Sequence, residues 1–255
     1  MMNVPYTAWA MWADSPNPRK VLNESGFVLH QSPFRETSSL LDIITHSKGR
    51  LRLLAKGSKR LGSFGSRLQP FTPLSLSWSG RGELPTLTQA ENNLPKYHLS
   101  GNSLYCGLYL NELLLNLLPA HDPYPDVFDH YHETLVNISH SGTLEVSLRY
   151  FEFFLLESLG YGLPAENTTL DGMEILADKR YVYILEEGIK ETCEMTPDAF
   201  HGRTLIALQH RCLEDELELR EAKKLMRRLI AHYSNGKPIR SRALFRPQLH
   251  PLHKS

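Results

Sequence analysis

The sequence predicts an α+β chain: an N-terminal five-stranded β-barrel followed by an α-helical domain that carries a small β-hairpin. Three observations predict it. Residues 26–90 break into short runs of strand-forming residues separated by turn formers. From residue 104 onward the apolar period lengthens to that of helices. The 255 residues, 41% hydrophobic and 22% charged, have the composition of an ordinary folded protein with room for two cores.

Residues 1–23 read as a flexible N-terminal extension. Pro5, Pro16, Asn17 and Pro18 break any period, although Trp9 and Trp12 are able to dock. Strands are expected at 26–32, 38–45, 48–56, 71–78 and 84–90, with turns at 33–37, 46–47, 57–66 and 79–83. Five short strands in so little chain suit a closed barrel, which leaves no exposed sheet edge, and the OB-fold is the natural candidate for residues 24–93.

Residues 94–255 read as the helical domain. The nearly continuous apolar stretch 104–118 stops at Pro119 and forms a buried helix. Residues 126–139 are amphipathic, with Val127, Tyr131, Leu135 and Ile138 on one side. Residues 144–159 form another apolar helix, ended by Gly160-Tyr161-Gly162. A hairpin of 181–185 and 189–193 turns at Glu186-Glu187-Gly188. Helices at 202–211 and 217–234 follow, the second closed by Asn235-Gly236.

Several function classes drop out early. No run of about 18 apolar residues marks a membrane span, and the N-terminus is not built like a secretory signal. Cys106, Cys193 and Cys212 are an odd number at wide spacing, which fits a reducing cytoplasm better than a disulfide framework. The net charge of zero hides a segregation. Residues 1–81 hold 11 Lys and Arg against 4 Asp and Glu, residues 82–202 hold 5 against 19, and residues 203–255 hold 12 against 5. Two basic ends flank an acidic middle, and basic ends point to polyanions.

The most informative strand is 48–56. Leu51, Leu53 and Ala55 share one parity, and Lys48, Arg50, Arg52 and Lys56 share the other. The flanking turns add Arg35, Lys59, Arg60, Arg67 and Arg81, while residues 26–81 contain only Glu36 and Asp42 as acids. Such a face suits phosphate tracking on a barrel, and a merely solvated outer face would show the same alternation. The last long helix repeats the theme. Arg220, Lys223, Lys224 and Arg227 make one stripe opposite Ala222, Leu225, Met226, Leu229 and Tyr233. Lys237, Arg240, Arg242 and Arg246 carry the positive field into the tail.

Catalytic chemistry finds little support. Cys106 lies in an apolar helix and reads as core. No phosphate-loop or dinucleotide glycine pattern occurs. The acids are too scattered for a two-metal nuclease, and His130 and His132 do not share a helix face. We therefore expect no catalytic residues, no metal and no cofactor.

Many short stretches resemble, in order, the bacterial RecO family. They include Gly26-Phe27-Val28-Leu29-His30, Glu36-Thr37-Ser38, Gly49-Arg50-Leu51-Arg52-Leu53-Leu54-Ala55-Lys56-Gly57 and Leu68-Gln69-Pro70-Phe71-Thr72-Pro73-Leu74. Tyr105-Cys106-Gly107-Leu108-Tyr109-Leu110-Asn111-Glu112, Leu148-Arg149-Tyr150-Phe151-Glu152 and Gly236-Lys237-Pro238-Ile239-Arg240-Ser241-Arg242 continue it. The resemblance covers about residues 24–246. It implies a recombination mediator without turnover, in the cytoplasm on the nucleoid. Such a protein binds single- and double-stranded DNA, anneals strands, and with RecR helps load RecA onto DNA coated by the single-stranded DNA-binding protein SSB. It also implies that Arg149 binds the acidic C-terminal tail of SSB, although Glu145 and Glu152, at i−4 and i+3, offer it a local ion pair instead. Many relatives carry a four-cysteine zinc site that this chain lacks, since Cys193 alone falls within 163–200. An RNA- or tRNA-binding OB module is the alternative, because the same basic strand would serve it.

Overall fold

The computed structural model describes residues 20–60, 64–92, 95–140, 144–163, 168–194 and 196–245. Trp9, Trp12 and Arg246 lie outside them. The chain divides into two compact units, residues 1–96 and 97–255.

The first unit is a closed barrel in the order β1-β2-β3-β5-β4. Its strands are β1 (Lys20–Phe34), β2 (Ser38–Thr45), β3 (Gly49–Ala55), β4 (Leu74–Ser79) and β5 (Thr86–Asn92). β1 is long because it serves two partners. Residues 20–26 pair with β4, and residues 26–34 pair with β2. The changeover falls at Gly26, where a Cβ would lie 2.8 Å from the Leu76 side chain and 3.0 Å from the Ile44 carbonyl oxygen. Only glycine lets the strand turn this corner. A short parallel contact closes the barrel, with the Leu54 N–H donating to the Pro85 carbonyl at 2.8 Å.

Several strand boundaries differ from the sequence expectation, among them β5, which runs Thr86–Asn92 rather than 84–90. Residues 20–23 belong to β1, where Val21 is buried. The period was hidden by an irregularity between Val21 and Glu24, with Asn23 at φ 54°. β4 starts at Leu74 rather than residue 71, because Phe71 turns at φ 62° and Pro73 has no N–H for a ladder. The interior takes Val28, Leu41, Ile43, Leu51, Leu53, Leu76 and Trp78 into one apolar cluster, on the parity expected for β3.

The second unit has α1 (Asn102–Leu117), α2 (Pro125–Ser139), α3 (Leu144–Ser158), α4 (Gly202–Gln209) and α5 (Glu216–Tyr233). A short antiparallel sheet, in the order β7-β6-β8, joins them through β6 (Arg180–Ile184), β7 (Gly188–Glu191) and β8 (Ala199–His201). Pro125 opens α2, where its missing N–H costs nothing. Asp215 and Glu218 close a capping box on α5. Tyr109, Leu110, Leu113, Tyr131, Leu135, Phe151, Leu155 and Met226 are all buried. The Tyr131 hydroxyl stays satisfied by donating to Asn111 Oδ1 at 2.7 Å.

The expected hairpin is present, and β8 adds a third strand to it. Three residues are too short to show a period. Tyr181, Ile189 and Phe200 are buried in this sheet, and the Tyr181 hydroxyl accepts from the Leu176 N–H at 2.8 Å. Gly202 follows β8 so closely that a Cβ there would lie 2.0 Å from the Leu176 oxygen. Among the described residues no three His, Cys, Asp or Glu side chains gather to hold a metal, and no described helix is long and apolar enough to cross a membrane.

Candidate nucleic-acid interface and cationic pocket

On the barrel, β3 turns Leu51, Leu53 and Ala55 inward and Arg50, Arg52 and Leu54 outward. The outward cations are not equivalent. β2 and β3 place Asp42 opposite Arg52, and Arg52 binds that carboxylate with two N–H groups at 2.8 and 3.2 Å. The hydrogen bond to Asp42, and its charge, raise the Arg52 guanidinium pKa above its ordinary value. Arg52 therefore spends much of its charge on a buried carboxylate. Arg50 is half-buried, and burial lowers its pKa, against the opposing pull of Asp42. Lys48 and Lys56 are exposed, but they stand eight residues apart, so about 26 Å of strand separates them.

Near the end of β3, the exposed Arg35, Lys56 and Arg60 line one groove. Lys59 lies beside it and donates to the Arg35 carbonyl at 3.5 Å. Arg67 lies elsewhere, donating to the Ala90 carbonyl at 3.3 Å. Arg81 is exposed in the turn between β4 and β5.

The stripe on α5 divides. Lys223 reaches Glu145 of α3 at 2.7 Å, and Lys224 reaches Asp198 at 3.6 Å. Arg220 is exposed, while Lys223 and Arg227 line a pocket. Two of the four cations thus answer acids of the chain itself.

That pocket, of about 240 Å³, is bounded by α1, α3, α5 and the 3-10 turn Arg240–Phe245. Leu144, Leu148, Cys106 and Phe245 make it apolar, while Arg149, Lys223, Arg227 and Arg242 make it cationic against one lining acid, Glu145. Arg149 is 4% exposed and donates through Nη2 to Glu152 Oε1 at 2.6 Å. Its Nε and Nη1 are buried and have no hydrogen-bond partner among the described residues. Of the two acids open to Arg149 from spacing, Glu152 takes it, because Glu145 is turned toward Lys223. The Tyr109 hydroxyl donates to the same Glu152 oxygen, and Arg242 lies over the Tyr109 ring at 5.6 Å. Burial pushes Glu152 above the usual carboxylate range, and Arg149 opposes that rise. Burial also pushes the Cys106 thiol up to about 11, which keeps it protonated.

Buried N–H groups of a guanidinium are costly unless an acceptor meets them. An apolar pocket lined by a buried guanidinium and by further cations suits a carboxylate joined to an apolar side chain. Sequence reasoning missed Tyr109, Phe245 and Glu112, and counted Arg242 only as part of a diffuse field. Glu112 holds the 3-10 turn by accepting from the Arg240 and Ser241 N–H groups, both at 2.8 Å, and from the Ser241 hydroxyl at 2.6 Å.

His130 stacks on Phe154 with centroids 3.5 Å apart, and His132 approaches the Tyr97 hydroxyl, so the two point to different neighbours.

The chain thus runs from a five-stranded barrel with a basic outward strand into a helical unit with a small sheet. The family model described as Recombination protein O N terminal matches residues 20–93, and Recombination protein O C terminal matches residues 98–243. The DNA repair protein RecO of Methylococcus capsulatus is 43% identical over 231 residues, covering 90% of this chain and 95% of that protein. RecO of Pseudomonas aeruginosa PAO1 is 40% identical over 222 residues, covering 87% and 94%. RecO of Coxiella burnetii RSA 493 is 40% identical over 229 residues, covering 89% and 98%. The chain belongs to the RecO family of DNA repair proteins, and its barrel is an OB-fold.

Proposed function

We propose that this chain is a recombination mediator that works without catalytic turnover. The barrel binds single- and double-stranded DNA through Arg35, Lys48, Arg50, Lys56, Lys59 and Arg60, with Arg67 and Arg81 at the margins. Arg52 contributes less, because Asp42 already neutralises much of it. Arg220, Lys223, Lys224 and Arg227 of α5 offer a second, weaker cationic surface. Annealing needs no bond chemistry: cations that neutralise two strands lower their repulsion, and base pairing supplies the drive. The pocket at Arg149 receives the C-terminal carboxylate of the SSB tail. RecR is the partner with which the chain helps RecA replace SSB on the strand, at the nucleoid in the cytoplasm.

The observation that carries this reading is one chain holding both a cationic barrel face and a buried guanidinium in an apolar pocket, with two N–H groups unpartnered among the described residues. A DNA-only binder needs the first and not the second. Annealing of complementary oligonucleotides, bare and SSB-coated, tests it. Arg149→Ala should lose annealing on coated strands and keep it on bare ones. Metal-dependent shortening of the strands would replace the mediator with a nuclease, and retention of RNA alone would replace it with an RNA-binding module.

A further inference from the structure

Three apolar side chains of the barrel unit stand outside its core. Phe34 ends β1 half-buried, Leu54 takes the outward parity of β3 half-buried, and Leu84 is 40% exposed before β5. They line the same groove, of about 630 Å³, as Arg35, Lys56 and Arg60, and among the described residues no Asp or Glu lines it. None of the three apolar residues joins the apolar cluster that fills the barrel.

The groove has a defined shape. Arg35 takes the left-handed conformation at φ 52°, which folds the β1–β2 turn back so that its guanidinium lies 5.4 Å from the centre of the Phe34 ring. The Lys59 N–H donates to the Thr37 carbonyl at 3.1 Å and holds the turn against the loop that carries Lys56 and Arg60. An aromatic ring with aliphatic neighbours accepts a flat apolar surface, and three cations around it accept anions on both sides. A nucleotide of a single strand presents both. A duplex presents only phosphates here, because its bases are stacked within the helix.

We propose that this groove is a nucleobase slot. One unpaired base packs on Phe34 between Leu54 and Leu84, and the flanking phosphates meet Arg35, Lys56 and Arg60. The proposal rests on the reading of the barrel as a DNA-binding unit and adds the element that separates single strands from duplex. Phosphate contacts alone do not make that distinction, since both forms carry them.

The test titrates a fluorescent deoxythymidine oligonucleotide, an abasic strand of equal length and a duplex, each over a salt series. Phe34→Ala should weaken the oligonucleotide roughly 5- to 150-fold, the range for loss of one base stack. The abasic strand, the duplex and the salt slope should stay as in the parent. Phe34→Trp should restore the oligonucleotide. Leu84→Asp, on an exposed side chain that is safe for folding, should weaken it as well by placing a carboxylate in the groove. If Phe34→Ala and Leu84→Asp bind the oligonucleotide like the parent while Lys56→Glu weakens every ligand, the slot is wrong and the barrel interface stands. If Lys56→Glu and Arg60→Glu also leave all ligands unchanged, the barrel reading fails with it. Equal weakening of all three ligands by Phe34→Ala would overturn the slot too.

Discussion

Arg149→Ala removes the guanidinium from the floor of the pocket, with two consequences of different kind. The first is binding. Nε and Nη1 are the buried donors without a partner among the described residues, so a carboxylate in the pocket loses hydrogen bonds to a charged group. Such bonds are worth about 1.5–3 kcal/mol, a weakening of roughly 10- to 150-fold for an acidic peptide ending in an apolar residue. The second is stability. Arg149 and Glu152 are 4% and 1% exposed, and breaking a buried pair leaves an uncompensated charge costing about 3–5 kcal/mol. For a unit of this size that lowers the melting temperature by roughly 6–20 °C. The residual cost follows pH. Burial already raises the Glu152 carboxyl in the folded state, and losing Arg149 raises it further. A group raised on folding favours the folded state below its unfolded pKa and loses that advantage as pH rises through its folded value. The variant should therefore stand closest to the parent below the ordinary glutamate pKa and fall further from it as pH rises through the raised folded value. A paired variant, Arg149→Met with Glu152→Gln, removes both charges and should recover most of the melting temperature while still failing to bind. Calorimetry with the peptide, beside a DNA titration and a melting curve for each variant, reads all three effects. If the paired variant binds peptide like the parent, the carboxylate does not sit at Arg149. If it loses DNA and peptide equally, the pocket and the DNA surface are one site.

Other outcomes follow from the same geometry. Arg50→Glu with Lys56→Glu should weaken DNA and reduce the salt slope by about 0.7 per lost phosphate contact on single strands; an unchanged slope with an intact fold would move the DNA site off β3. Glu112→Ala should loosen the 3-10 turn Arg240–Phe245, withdraw the Phe245 wall and weaken the tail peptide several-fold, with faster proteolysis after Lys237 as the direct readout. Glu221 is raised by burial but brought below its ordinary value overall by bonds from Thr204 and from the His201 N–H and ring. Its stabilisation is thus present above the unfolded carboxylate pKa and fades as pH falls through the depressed one. Glu221→Gln should cost about 1.5–3 kcal/mol at pH 7 and progressively less as pH falls below the ordinary glutamate pKa, by denaturant titration over a pH series.

The barrel and the helices were legible because their information is local. The alternation of 48–56 already placed Leu51, Leu53 and Ala55 inward, and the apolar run ending at Pro119 already placed α1. Periodicity says which side chains share a face of one element, and that sufficed for fold class and for the basic outward strand. It does not say what faces that side chain across space. Glu145 and Glu152 stood at equally good spacing from Arg149, and the choice was made by Lys223 of α5, which draws Glu145 away. Arg52 looked equal to Arg50 until the β2–β3 register set it against Asp42. The α5 stripe looked continuous until Lys224 met Asp198. The pocket gathers Cys106, Arg149, Arg227 and Phe245 from four elements distant in sequence. By itself the sequence determined most of the elements, their inner and outer faces and the placement of charge, but not β8 or the start of β1. Which charges are spent inside the protein and which remain for a ligand was decided by tertiary packing, because electrostatic partners are chosen by distance in space.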